Sequence, residues 1–373
     1  MRICYVADAA SVHTQKWAAH FAREHDVHVL SFRDSPIPGA RVYHLGSLGA
    51  LGKARYPLQV PRLRRLLHRI DPDVVHALSL TSYGFVAALA GRHPLVTSVW
   101  GYDILQTPQR SPLHLWVTRY ALRHADIVTA TGEGLAAATR PYMPPGRPVH
   151  VVPYGIDLDK FSRAGEPDSP PGLIVPPPAS GTAGPVIASV KSLVPVRGFQ
   201  FLVGAMPAVL EHHPGARLIL AGDGPERGQL QQQVEALGLS AQVLFLGEVP
   251  NARVPELLRQ VDVYVQPSLL ESFGVSALEA SAMAIPVVAT AVEGGRDVVR
   301  DGETGLLVPP ADSAALAAAI LRLLDDRALG RSMGEAGRRF VAERYQWRDN
   351  AALMAAVYAQ AIEGHRAGRT GNP

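Results

Sequence analysis

The stretch "VDVYVQPSLLESFGVSALEASAMAIPVVAT", residues 261–290, sets two carboxylates, Glu271 and Glu279, into a run that is otherwise small and apolar. Val261 to Ser268 reads as a short buried strand stopped by Pro267, and Ile285 to Thr290 reads as another. Between them, Ser276, Ala277, Leu278, Ala280, Ala282 and Met283 suit a helix that starts near Gly274. The unit is therefore strand, loop, helix, strand. Glu271 falls on the loop at the carboxyl end of a strand, and Glu279 falls one to two turns into the helix. In open α/β sheets that edge is where ligands bind, and a helix N-terminus beside it offers N–H groups and positive dipole to a phosphate. Two glutamates beside an anion are reconciled if the ligand also carries hydroxyls, which carboxylates grip while amides hold the phosphates. The plainer alternative is that Glu271 caps the helix and Glu279 reaches solvent.

Outward from this unit the same grammar repeats. "RICYVAD", "DVHVLSF", "DVVHAL", "LVTSVW", "DIVTAT" and "VHVVPYG" precede it, and "VIASV", "RLILAG", "VLFLG" and "TGLLVP" surround it. Continuous apolar strands separated by helical stretches mean parallel sheets covered on both faces. The pattern halts over residues 162–185, rich in Pro, Gly and Ser. The expected organisation is α/β, with two Rossmann-like doubly wound domains facing each other across a cleft. The first runs over residues 1–165, followed by a Pro/Gly-rich linker at 166–185 and a second domain at 186–344. Residues 345–373 form a C-terminal helix packing back on the first domain and a disordered tail.

Composition narrows the class. Of 373 residues, 47% are hydrophobic and 18% charged, which favours large cores over disorder. Thirty-six Lys and Arg against 33 Asp and Glu leave +3, too balanced to argue for nucleic acid. The single cysteine, Cys4, excludes an internal disulfide and reads as a packing thiol. "MRICYVADAA" reads as a first strand and not a cleavable signal, so a cytoplasmic protein is expected.

Several segments in order, "VKSLVPVRG", "LAGDGPE", "FLGEVP", "PSLLESFGVSALEA" and "EGGRDVVRDGETGLLVPPAD", resemble the nucleotide-sugar domain of the retaining glycosyltransferases of family 4, which have the GT-B fold. "SVHTQKWAAHFAREHDVHVLS", "PDVVHALS", "VWGYDIL" and "VVPYGIDLDKF" extend the resemblance more loosely into the first half. The resemblance implies transfer of a sugar from a UDP- or GDP-linked donor to a hydroxyl of a glycan or lipid-linked acceptor, without a metal or resident cofactor. It implies that Glu279 accepts hydrogen bonds from the ribose, and that Glu271, with backbone N–H groups of Phe273, Gly274 and Val275, holds the donor sugar. Ser272, Gly222 and Val249 complete the expected donor site. Lys191 and Arg197 would neutralise the departing diphosphate. Asp103 is a candidate to orient the acceptor hydroxyl, with a capping role as the alternative. His13, Thr14, Trp17, His76 and Trp100 are the candidate acceptor contacts, with packing as the alternative for both histidines.

The chain departs from the family pattern in three places. Lys191-Ser192 stands where Gly-Arg is usual, the first loop "DAASVHT" has no glycine, and Trp100 replaces a histidine. A sugar-nucleotide 2-epimerase of the same architecture and a non-catalytic nucleotide-sugar-binding subunit are the alternative readings. The strings "DPD" at 71–73 and "DLD" at 157–159 read as turns, not as metal ligands. The stretch "RYPLQVPRLRRLLHRI", residues 55–70, has five arginines, no acid, and leucines at helical spacing. Such a helix either lies on an anionic bilayer, at the inner face of the membrane, or turns its leucines into the first domain's core.

Overall fold

The computed structural model describes residues 1–46, 56–162 and 184–370, and the chain divides into two compact units. The first comprises residues 1–153 and the chain from Arg348 onward, and the second Tyr154–Trp347. Tyr154 to Ser162 thus group with the second unit, although the sequence reading carries the first domain to residue 165. Residues 163–183, which include most of the expected linker at 166–185, lie outside the described residues, as does Arg55.

In the first unit the chain runs β1 (Arg2–Val6), α1 (Val12–Phe21), β2 (Asp26–Ser31), β3 (Arg41–His44), α2 (Val60–Ile70), β4 (Val74–Leu78), α3 (Phe85–Ala90) and β5 (Leu95–Val99). It continues through α4 (Tyr102–Leu105), α5 (Pro112–His124), β6 (Ile127–Ala130), α6 (Glu133–Thr139) and β7 (Val149–Val151). The strands form one parallel sheet of order β3-β2-β1-β4-β5-β6-β7. β4, β5 and β6 are buried along their whole length, as central strands of a parallel sheet between two helical layers must be, whereas the edge strand β3 is only half-covered. Order reverses between β1 and β4, so the loops after these two strands diverge and leave a crevice.

Helix α2 decides the question raised by its arginines. Val60, Leu63, Leu67 and Ile70 are buried in the cluster that also holds Val6, Leu30, Val75 and Val86, and Leu66 packs against it. Each buried leucine contributes about 1.5–3 kcal/mol relative to exposure. The apolar face is therefore already spent on the unit's own core, and the membrane-inserting reading of this helix is corrected accordingly. Arg64 donates to the carbonyls of Leu89 (2.7 Å) and Ala90 (3.2 Å), closing the end of α3, while Arg62, Arg65 and Arg69 are solvated. Among the described residues no helix is long and apolar enough to cross a membrane.

The second unit runs β8 (Val186–Val190), α7 (Phe199–His212), β9 (Arg217–Ala221), α8 (Arg227–Ala236), β10 (Val243–Gly247), α9 (Val254–Leu258) and β11 (Val263–Gln266). It then forms α10 (Val275–Ala282), β12 (Val287–Thr290), α11 (Glu293–Val298), β13 (Gly305–Val308), α12 (Ser313–Asp325) and α13 (Arg327–Arg344). Its parallel sheet has the order β10-β9-β8-β11-β12-β13, so the reversal falls between β8 and β11. Phe199, Leu202 and Met206 of α7 pack with Leu316, Ile320 and Leu323 of α12 over Leu218 and Leu220 of β9.

The last helix, α14, spans Trp347–Thr370. From Arg348 it belongs to the first unit, where Tyr358 is fully buried against Phe21, with ring centroids 5.2 Å apart. The expected disordered tail from Arg366 is helical as far as Thr370.

Candidate functional site

In the second unit the loops after β8 and β11 meet at the strand-order reversal, and close backbone approach holds them there. The N–H groups of Leu269 and Leu270 both donate to the carbonyl of Val196 (2.9 and 3.1 Å). Gly198 has φ +65°, and a Cβ on it would lie 2.2 Å from the Pro267 carbonyl oxygen. On the other side of β8, Gly222 has φ +144° and a Cβ there would lie 1.9 Å from the Lys191 carbonyl oxygen. Glycine is thus required at both flanks of the β8 loop.

This arrangement brings Lys191, Arg197 and Glu271 together. Arg197 Nη1 donates to Glu271 Oε2 at 2.9 Å and to the Leu270 carbonyl at 3.2 Å. Lys191 Nζ contacts the same carboxylate oxygen, and Ser268 Oγ donates to it at 3.3 Å. The side chains are 5% exposed for Glu271, 11% for Lys191 and 26% for Arg197. Burial alone would raise the Glu271 carboxyl, but Lys191 and Arg197 outweigh it and hold the group below its usual value. Burial pushes Lys191 down from 10.5 to about 8; Glu271 opposes that shift and Arg197 adds to it. Two cations against one carboxylate leave the triad with +1, in a place where positive charge is poorly solvated.

Glu279 lies on α10, half-buried, and its charge is felt by Lys191, Lys160 and Tyr264. Gly274, with φ +94°, starts this helix, leaving its first N–H groups without intrahelical partners. Phe273 is buried between Tyr154 (6.0 Å) and Tyr345 (5.5 Å, edge-on), anchoring the loop from beneath. Ser272, Gly222 and Val249 are half-buried on the neighbouring loops, and Val275 is half-buried at the start of α10. Lys160 was not singled out in the sequence. It donates to Asn251 Oδ1 at 2.6 Å and belongs to the second unit, where it joins the Glu279 neighbourhood. The only sequence signal for it is its place in "GIDLDKF".

In the first unit the acceptor candidates separate. His76 is fully buried, with Nδ1 2.7 Å from Tyr358 Oη and Nε2 2.7 Å from Ser98 Oγ; the chain continues to Tyr5 Oη (2.9 Å) and Thr129 Oγ1 (2.7 Å). Burial pushes it down to about 3. It is a neutral core residue with both nitrogens engaged, which corrects its expected place at the acceptor. Thr14 and Trp17 are also buried, on the same face of α1 as Phe21, so the i, i+3, i+7 spacing marks a core stripe and not a ligand surface. His13 and Trp100 do meet, edge to face with centroids 5.7 Å apart. Burial, with a smaller push from Lys16, lowers His13 to about 4, so it is neutral at physiological pH.

Asp103 is buried and accepts backbone N–H groups from Leu80 (2.7 Å), Gly101 (2.9 Å) and Trp100 (3.2 Å). Its carboxylate staples the loops after β4 and β5 together. The expected catalytic role is corrected to a positioning one, because its oxygens are committed to backbone. The acidic strings are turns: Asp71 ends α2 with φ 47°, Asp73 accepts from the Arg2 N–H at 2.7 Å, and Asp157 caps the N–H groups of Asp159 and Lys160 at 3.1 and 3.2 Å.

Comparison with known proteins identifies the class. Residues 176–340 match the family described as glycosyl transferases group 1, and residues 2–132 match glycosyl transferase 4-like. The phosphatidyl-myo-inositol mannosyltransferase of Mycobacterium leprae is 32% identical over 335 residues, covering 88% of this chain and 84% of that protein. The N-acetyl-alpha-D-glucosaminyl L-malate synthase of Bacillus anthracis is 25% identical over 381 residues, covering 98% of each. The chain belongs to the group 1, 4-like glycosyltransferase family. Its fold is GT-B: sucrose-phosphate synthase from Thermosynechococcus elongatus superposes with a TM-score of 0.83 at 23% identity, covering 98% of this chain and 100% of that one. Anabaena HepE in complex with UDP and glucose superposes with a TM-score of 0.80, also at 23% identity, over 96% of this chain and 100% of that one.

Proposed function

We propose that the protein is a retaining glycosyltransferase that moves a sugar from a nucleoside diphosphate sugar to a hydroxyl of a glycan or lipid-linked acceptor. The observation that carries this reading is the convergence of Lys191 and Arg197 on buried Glu271 at the strand-order reversal of the second unit. A relative 29% identical over 83% of this chain, from Mycolicibacterium smegmatis, is a GDP-mannose-dependent mannosyltransferase, which supports the donor class.

In this reading the sugar C1–O bond to the diphosphate breaks as an oxocarbenium-like cation forms. Lys191 and Arg197 stabilise the diphosphate charge that develops, in surroundings where water cannot do so. The acceptor oxygen bonds to C1 on the face the diphosphate leaves, and its proton passes to a phosphate oxygen. No protein base is required, which agrees with the commitment of His76 and Asp103 to the interior. Glu271 positions sugar hydroxyls and Glu279 the ribose.

A panel of UDP and GDP sugars, screened by thermal shift and then by transfer to glycan acceptors, tests the reading. One nucleotide class raises the melting midpoint, and Glu279→Ala weakens its binding about tenfold through loss of a charged hydrogen bond. Turnover persists in excess EDTA. Loss of activity restored only by a divalent cation overturns metal independence, and epimerisation of the donor with no acceptor present overturns transfer.

A further inference from the structure

The first unit contains a cavity of ≈ 800 Å³ beyond the carboxyl ends of β4 and β5, and the established family assignment gives it no role. We propose that it binds an alkyl aglycone, so that the acceptor is amphipathic; the acceptor role rests on the transferase reading above. Three of the eight exposed large apolar side chains among the described residues line this one cavity: Tyr102 (49% exposed), Leu113 (65%) and Trp116 (53%). Such clustering on one wall, rather than scatter, marks a binding surface.

The wall is built, not incidental. Helix α5 buries Thr118, Ala121 and Leu122 in the core and turns Leu113, Trp116 and Val117 to the cavity. Phe85 holds Trp116 edge-on with centroids 5.8 Å apart. Beneath, Ser79 takes φ 87°, unusual for a residue with a Cβ, and begins a π-helical turn over Leu80–Gly84. The Asp103 staple fixes that turn to the start of α4.

The polar groups of the lining decide between a sugar and an apolar ligand. Asp103 is held by backbone N–H groups, and Thr107 Oγ1 donates to the Tyr102 carbonyl at 3.1 Å. Ser79 and Ser82 hydroxyls pair at 3.0 Å, and His114 Nδ1 lies 2.8 Å from Ser111 Oγ. With each of these groups engaged at one or more atoms, the cavity offers more aromatic and aliphatic surface than hydrogen-bonding surface. Arg110, packed over the Tyr102 ring at 5.0 Å, sets a cation at the rim, as suits a ligand apolar at one end and polar at the other. Trp100 joins this cavity to the half-buried acceptor candidate His13.

The test measures binding of methyl, hexyl and octyl β-D-glucopyranoside below micelle-forming concentrations, by tryptophan fluorescence and calorimetry on the full chain. Affinity is expected to rise with chain length, by at least about tenfold from methyl to octyl, as burial of methylenes requires. Leu113→Ser with Trp116→Ser abolishes that dependence; both side chains are exposed, so the melting midpoint stays near wild type. Affinity independent of chain length, or a folded double variant that retains the dependence, overturns the inference. So does sedimentation with phosphatidylglycerol vesicles unaccompanied by binding of monomeric octyl glucoside, which would assign the wall to a bilayer. UDP and GDP binding is read on the same samples: nucleotide binding without octyl glucoside binding sinks this inference alone, and octyl glucoside binding without either nucleotide sinks the transferase reading and the acceptor role with it.

Discussion

Lys191→Ala with Arg197→Ala lowers kcat by about 10⁴-fold, because each cation is a preorganised donor to the departing diphosphate and such donors are worth about 10²–10³ apiece. Both cations address one oxygen of Glu271, so with either removed the other stays in place beside the carboxylate, and each single variant loses about 10²-fold. Donor binding weakens far less than turnover, since the charge that needs them is greater once the C1–O bond has broken. Calorimetry for donor Kd and initial rates for kcat separate the two. Equal losses in Kd and kcat, or a double variant within tenfold of wild-type turnover, would reject leaving-group stabilisation by this pair.

The sequence made the second unit legible because its site is written in order along one strand-loop-helix unit. Pro267 and Gly274 mark the loop that carries Glu271, and the strand is β11. The helix then runs from Val275, as the small apolar spacing requires. The first unit was legible in architecture and less so in its site. Topology tells that the residues after β1, β4 and β5 lie near a crevice, yet the rotation of a helix or strand end about its own axis decides which side chains face it. His76 turns inward onto Tyr358, which α14 adds to the core from 282 residues away, and Thr14 and Trp17 lie with Phe21 among the buried residues of α1. Asp103 was open between catalysis and capping, and three converging N–H groups settle it. The α2 leucines were equally open, because an amphipathic pattern is the same whether its partner is lipid or sheet. Lys160 had no mark beyond its place in "GIDLDKF", since its partner Asn251 lies 91 residues away.

Glu271→Gln separates the charge of the triad from its shape, and two readouts move with pH in opposite directions. In the wild type Lys191 titrates near 8, and it must be protonated to hold the diphosphate. The kcat/KM profile, which reports the free enzyme, therefore falls as pH rises through about 8. Glu271 is the main influence opposing burial, so its neutralisation lowers the Lys191 pKa further. The alkaline limb then shifts toward neutrality, and at pH 7 the variant has lost protonated lysine as well as the sugar-positioning carboxylate. Stability behaves the other way. Removing one partner of a buried ion pair costs about 3–5 kcal/mol, because a cation is left with little solvent. Lys191 has a folded-state pKa below its value in the unfolded chain, so between the two pH values the unfolded chain binds more protons and stability rises with pH. The melting midpoint of Glu271→Gln should accordingly recover part of its deficit between pH 7 and pH 9 while kcat/KM collapses over the same interval. An alkaline limb at the same pH in both proteins, or a stability deficit that does not shrink as pH rises, would mean that Lys191 is not the titrating group and that Glu271 is a steric element of the loop alone.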